Sequence, residues 1–369
     1  MNSRSKKWVL TAILLVLAGY LVSRLRGSLG LSGFSGGKLW SAIRGANPLW
    51  LGAGLLLIYG CYALRSLRWQ VFQRNLGRAH FWEIYAATLA GFSAVFLLGR
   101  AGEPIRPLLL AKRAGHPVAD IFGIWVLERL FDFGCMGVIA AVALLALDVP
   151  NTAGDTSGAV GHAKMYGAVL ALGVAVAFGF LVYLRIHGNV LLEKRIELWR
   201  GSSAWKAKAG DIVLSVITGI QTVRSWGDLL LSGIYSAIHW AVVLIVYYCV
   251  TQSFGGQLAA LRLRDCALLL AISLVGSVFA LPGVGGGVQA AAFFVFNTLF
   301  GVAKETATAA AIVLWLVTFA SCAIAGVPLL VREGISLGHL MEMAKQEKEE
   351  LREIAAHGTL HGGKGESGR

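Results

Sequence analysis

Residues 81–106 read FWEIYAATLAGFSAVFLLGRAGEPIR: an apolar run, Phe81–Leu98, that passes straight into Gly99-Arg-Ala-Gly-Glu-Pro-Ile-Arg106. A membrane helix needs about 17–25 residues, so this run only just qualifies. It ends on two arginines and a glutamate. A charge deep in hydrocarbon costs several kcal/mol, roughly 2.5–3.5 for Arg or Asp at a helix centre, and persists when it is paired or lines a polar cavity. Another apolar run, Ile121–Leu147, is interrupted in the same way by Glu128, Arg129 and Asp132. On an ideal helix Glu128 and Asp132 share a face, and Arg129 reaches Asp132. Arg100, Arg106 and Arg129 then balance Glu103, Glu128 and Asp132, so the set reads as neutral. One reading is an ion network tying two membrane segments together. The other is a polar site inside the bilayer, which is the starting hypothesis for ionisable residues in a membrane segment.

Composition supports a membrane setting. The 369 residues are 56% hydrophobic and 14% charged, with mean hydropathy +0.68, against about 25% charged in a soluble domain. The apolar excess lies in runs: Trp8–Val22, Pro48–Leu64, Phe81–Leu98, Ile121–Leu147, Met165–Leu184, Leu229–Val250, Cys266–Pro282 and Ala307–Val331, with a shorter run at Val288–Phe300. The expected fold is an all-α, polytopic helical membrane protein with about 6–8 membrane helices. A net charge of +13 suggests nucleic acid in a soluble protein. Here the basic residues lie between apolar runs, where they set topology and meet anionic headgroups. Cys61, Cys135, Cys249, Cys266 and Cys322 sit in apolar surroundings without CxxC spacing and read as packing residues. No metal spacing, catalytic constellation or cofactor fingerprint stands out, and none is expected.

Charge between the runs predicts orientation. Asp148–His162 has no Lys or Arg, whereas Arg185–Asp228 has seven, so the first faces out and the second faces the cytoplasm. The same rule puts Arg65–His80 and Gly99–Pro117 inside, so Phe81–Leu98 should dip in and return, with Gly91-Phe-Ser93 as the bend. Leu25–Asn47 disagrees, because it carries Arg26, Lys38 and Arg44 and yet falls outside. Within Arg185–Asp228 the apolar stripes Leu192, Ile196, Trp199 and Val213, Val216, Ile217, Ile220 predict amphipathic helices on the inner surface. Residues 1–331 read as one transmembrane domain and residues 332–369 as a polar, partly disordered cytoplasmic tail.

A repeat emerges from the same pattern. Helix Pro48–Leu64, a broken element Phe81–Leu110 and helix Ile121–Leu147 match helix Leu229–Val250, a broken element Cys266–Phe300 and helix Ala307–Val331. The two halves would be inverted, and paired glycine-interrupted segments are a sequence pointer to a transporter's binding site. The second break, Leu281-Pro-Gly-Val-Gly-Gly-Gly287, lacks the Gly-Lys-Ser/Thr ending of a nucleotide-binding loop. It reads either as a tight turn or as a phosphate-accepting loop ahead of a short helix. His239 reads as a core histidine, with a proton relay as the alternative.

Arg100-x-Gly-Glu-x-x-Arg106, Glu128-Arg-x-x-Asp132 and Pro282-Gly-x-x-Gly286, in this order, resemble the lysylphosphatidylglycerol synthase transmembrane-region family. The resemblance covers roughly Trp8 to Val331. It implies a helical plasma-membrane protein with re-entrant elements and flippase-like action on lipid. Where many relatives continue Pro-Gly-Gly-x-Gly-x-x-Glu, this chain has Gln289.

The expected function is binding and ATP-independent movement of a lipid with an anionic or phosphate-linked headgroup. A membrane transferase on a lipid-linked substrate, or a scaffold for a separate lipid-modifying enzyme, are the alternatives. The residues expected to meet the lipid are Arg100, Glu103, Arg106, Glu128, Arg129, Asp132, Gly283, Gly285, Gly286, Gly287 and Gln289.

Overall fold

The computed structural model describes residues 35–77, 79–116, 118–146, 157–187, 223, 225–277, 280–281 and 285–332. The expected first helix at 8–22, most of the basic segment between 185 and 228, the polar tail and Gly283 lie outside the described residues.

Among the described residues the fold is all-α apart from one short strand pair. The ten-residue helix α1, Gly36–Gly45, is capped by Ser35 and buries none of its side chains. Next, α2 is Pro48–Gln73, started by the Asn47 cap with Pro48 at its first position. Then come α3, Phe81–Leu98, a 3-10 turn at Gly99–Gly102, and α4, Ile105–Ala114. The long helices α5, Val118–Leu145, and α6, Ser157–His187, follow. The second half begins with α7, Trp226–Ser253, the single turn α8, Gly256–Ala259, and α9, Leu263–Gly276. Strands β1, Ala280–Leu281, and β2, Gly285–Gly286, pair antiparallel. Then α10, Gly287–Phe294, runs into a wide turn at Val295–Leu299. Finally α11, Lys304–Trp315, continues through a second wide turn at Leu316–Ala320 into α12, Cys322–Arg332.

Five of the described helical stretches are long and apolar enough to cross a membrane: α2, α3, residues Lys164–Tyr183 of α6, α7, and α11–α12 taken together. At 28 residues α5 has the length as well but carries charge through its middle.

The expected bend at Gly91 is not there. Helix α3 is unbroken, and the chain reverses afterwards, at Gly99, whose φ of +67° only glycine adopts without strain. The result is a helical hairpin. A Cβ on Gly91 would meet Cβ of Arg106, and one on Gly102 would meet the backbone of Ala94, so α3 and α4 lie closer than any side chain allows. At the open end the Arg113 Nη1 donates to Glu83 O at 3.0 Å. The second broken element is also a hairpin. A Cβ on Gly276 would meet the Gly287 carbonyl, bringing α9 against α10, and β1 and β2 form the tip. That tip touches the 3-10 turn of the first hairpin.

The halves are joined through α2 and α7, which pack antiparallel. Asn47 N–H donates to Ser253 O at 2.7 Å at one end, and Arg74 Nη1 meets Asp228 Oδ1 at 2.6 Å at the other. Exchanging the halves preserves the packing: α3 lies on α12 as α9 lies on α5, and α4 lies on α5 as α10 lies on α11. The core follows this plan. Tyr247, Leu269, Leu270, Phe296 and Leu314 are buried between the second hairpin and the α2–α7 pair. Trp69, Phe72, Ile84, Leu109 and Ile121 are buried under the first hairpin. Helix α6 is peripheral, with only 6% of its apolar stretch buried.

Candidate functional site

The site is built where α2, α4, α5 and α7 converge. The sequence places Arg65 in a cytoplasmic loop, but α2 continues to Gln73 because Trp69, Val71 and Phe72 carry the apolar pattern onward. Arg65 and Arg68, one turn apart, therefore enter the interior, 7% and 1% exposed. They meet Glu128 and Asp132, one turn apart on α5 and equally buried. Arg65 Nη1 donates to Glu128 Oε1 at 3.1 Å and to Asp132 Oδ2 at 2.9 Å. Arg68 donates from Nη2 to Glu128 Oε1 at 2.6 Å and from Nη1 to Asp132 Oδ1 at 2.9 Å. The set is closed by α7: Ser236 Oγ accepts from Arg68 Nη1 at 2.6 Å, and Trp240 Nε1 donates to Asp132 Oδ1 at 3.3 Å.

From the hairpin, Arg106 adds a third guanidinium, its Nη1 bridging both oxygens of Glu128 at 3.1 and 2.9 Å. Its Cζ lies 4.9 Å from the centre of the Trp69 ring and 5.6 Å from that of Phe92, within cation–π range of both. The opposite edge of Arg106, Nε and Nη2, is buried and has no partner. Arg106 lines a small, half-open cleft with room for about one water molecule, together with Gly91, Phe92, Val95, Glu103, Trp125 and Arg129.

Arg129 corrects the sequence reading. It does not pair with Asp132; its guanidinium lies 5.7 Å from Trp125, and its Nε is buried without a partner. Both acids are already taken by arginines from α2 and α4. The set is not neutral either. Arg65, Arg68, Arg106 and Arg129 face Glu103, Glu128 and Asp132, which leaves one positive charge among the described side chains.

Of the remaining expected residues, Gly285, Gly286, Gly287 and Gln289 are placed apart from this cluster, in the second hairpin. The backbone of Arg100 is in the 3-10 turn, and its side chain lies outside the described residues. Gly285, Gly286 and Gly287 form the second hairpin's tip, with Gly286 at φ +95°. The Gln289 Oε1 accepts from Gly286 N–H, so this amide caps its own helix. His239 is buried beside Trp240 with Nδ1 unpartnered. Arg65, Arg68, Trp69, Phe92 and Trp125 were missed. The signal for the first two was present, in an Arg-x-x-Arg whose spacing matches Glu-x-x-x-Asp across a helix pair.

A polytopic helical protein with two glycine-tipped hairpins around a buried, arginine-rich cleft is the class that fold and site define. A family described as the lysylphosphatidylglycerol synthase TM region matches residues 7–326, and the chain belongs to it. It is 22% identical over 314 residues to a UPF0104 membrane protein of Methanothermobacter thermautotrophicus, covering 82% of this chain and 90% of that one. It is also 22% identical over 367 residues to the glycosyltransferase AglD of Haloferax volcanii. That match takes in 92% of this chain and 58% of AglD's length. No solved structure matches the chain.

Proposed function

We propose that this protein binds a lipid through an anionic, phosphate-type headgroup in the Arg106–Arg129 cleft and moves it between leaflets without ATP. The free edge of Arg106 carries the reading. With Nη1 spent on Glu128, the Nε and Nη2 donors form the side-on fork that takes two oxygens of one phosphoryl or carboxylate group. Arg129 Nε adds a third unsatisfied donor, and the surplus positive charge calls for an anion. Buried guanidinium donors are costly to leave unmade. The inverted arrangement of two hairpins, open at opposite ends and touching at their tips, supports movement, because such halves rock about a central site in transporters.

Orientation follows from charge. Arg74, Lys112, Arg113, Arg185 and Arg332 share one end of the helices and Lys38, Arg44, Lys164, Arg262, Arg264 and Lys304 the other, so it is the segment 185–228, with seven Lys and Arg, that favours the first end as the cytoplasmic one. On this placement the first hairpin re-enters from the cytoplasmic side.

In liposomes without ATP, the protein is predicted to speed leaflet exchange of phosphate-linked lipids. Arg106→Ala should slow exchange at least about tenfold, the equivalent of one lost charge-assisted hydrogen bond. Arg106→Lys should rescue only in part, since an ammonium has no fork. The likeness to a glycosyltransferase, AglD of Haloferax volcanii, favours a second reading, transfer onto a lipid-linked acceptor. A bound lipid that is chemically altered and never exchanged would establish that reading and end the first.

A further inference from the structure

The cleft's mouth lies beside an unusual helix face. On α5, Phe122, Trp125, Arg129 and Phe133 recur at three- and four-residue steps, so they share one stripe. The adjacent stripe, about 100° round the helix, with Ile121, Ile124, Glu128 and Asp132, is buried in the core. Phe122, Trp125 and Arg129 are half-buried, and Phe133, one turn beyond Arg129, is 62% exposed. Arg129 is eleven residues into α5, about 16 Å from its start at the usual helical rise. A hydrocarbon core is about 30 Å thick, so a bilayer boundary at the start of α5 would set this half-buried guanidinium near mid-depth, one turn from the exposed Phe133. That location is costly for an unpaired charge.

From this we infer that the cleft is loaded sideways, by a diacyl lipid that keeps an acyl chain along the Phe122–Phe133 stripe while its phosphate reaches Arg129 and the free edge of Arg106. The inference rests on the headgroup reading above and adds the ligand's source and route: a bilayer lipid through a lateral mouth, and not an anion from water. Charge complementarity and continuity commit the stripe to this occupant, because the apolar face leads directly to two unsatisfied guanidinium edges. Aromatic rings at Phe122 and Phe133 flank the arginine above and below, where chain methylenes would pass.

The test uses the full chain in nanodiscs, with a photoactivatable group near the acyl-chain midpoint of either phosphatidylglycerol or phosphatidylcholine. Peptide mapping should place label on residues 122–133 and on the hairpin near Val95, several-fold more from the phosphatidylglycerol probe. Unlabelled phosphatidylglycerol should compete, and glycerol phosphate should not. Arg129→Gln should remove the preference by about tenfold, while Arg129→Lys keeps part of it. Equal labelling by both lipids would mean ordinary boundary lipid and would overturn the inference. Effective competition by glycerol phosphate would overturn it too, in favour of an aqueous anion. The two readings fail separately. Preferential labelling without leaflet exchange keeps the lateral site and removes transport, whereas exchange without preferential labelling removes the lateral site alone.

Discussion

At the scale of residues, the site turns on which arginine holds which acid. The chain's local spacing suggests Arg129 for Asp132, because i, i+3 neighbours are the partners a single helix can offer. The folded chain supplies better ones from 60 to 67 residues away, with Arg65 and Arg68 reaching Glu128 and Asp132 at 2.6–3.1 Å. Breaking a buried pair from one side leaves an uncompensated charge, at a cost of about 3–5 kcal/mol. Arg68→Met is therefore predicted to destabilise the protein by that amount, and Arg129→Met by far less, measured as unfolding in mild detergent. Equal losses would mean that Arg129 belongs to the ion network after all. By contrast, Arg74 and Asp228 are joined at a surface where the arginine side chain is 56% exposed. Such pairs contribute about 0–1 kcal/mol, so the fastening of α2 to α7 comes from the residues buried between their ends, Ile58, Cys61, Trp240, Val243 and Val246.

Among the elements, the hairpins decide the topology. Their ends lie together: Arg113 at the close of α4 reaches Glu83 at the opening of α3. Single cysteines replacing His80 and His116, in a background lacking the native cysteines, are predicted to react with an impermeant thiol reagent from one side. Cysteines replacing Asn47 and Arg262 should react from the other. Labelling of positions 80 and 116 from opposite sides would mean that α3 crosses and does not return. Much of this was legible in the sequence. The glycines at 99 and 102 mark a reversal, and the positive-inside rule requires both flanks of α3 on one side. The site of the reversal was misread, because Gly91 looks like a hinge. In the structure it is instead a seat, small so that Arg106 can come close. Sequence shows that a glycine is needed and not whether its backbone or its missing side chain is the reason. Arg65 and Arg68 were hidden differently, since a basic pair after an apolar run reads as a loop until its distant acids are known.

For the whole molecule, the halves depend on each other more than on themselves. Helix α2 pairs with α7, α3 with α12 and α5 with α9, all across the repeat. Two chains divided within residues 188–222 and expressed together are predicted to co-purify through a tag on one of them. Either half alone should be lost to proteolysis, because these faces would be uncovered. Recovery of a stable first half by itself would show that the arginine–carboxylate cluster suffices to fold it. The repeat is symmetric in packing and asymmetric in chemistry: the ion network is in the first half, and its antiparallel counterpart presents Ser232 and Ser236 along α7.

The surplus charge in the cleft carries a consequence for energetics across the membrane. A site with one more cation than anions is a charged particle within the electric field of an energised cell. Moving one full charge through 100 mV is worth about 2.3 kcal/mol. On the proposed function, a monoanionic headgroup would make the loaded site neutral, so only the empty site would feel the field during its return. An interior-negative potential would then favour the empty site at the cytoplasmic side and set the direction of net movement. Exchange in proteoliposomes is predicted to respond to a potassium diffusion potential for monoanionic lipids and to change in slope for a headgroup with two negative charges. A rate indifferent to the potential for both would mean that the arginines do not travel through the field, and that the lipid alone moves.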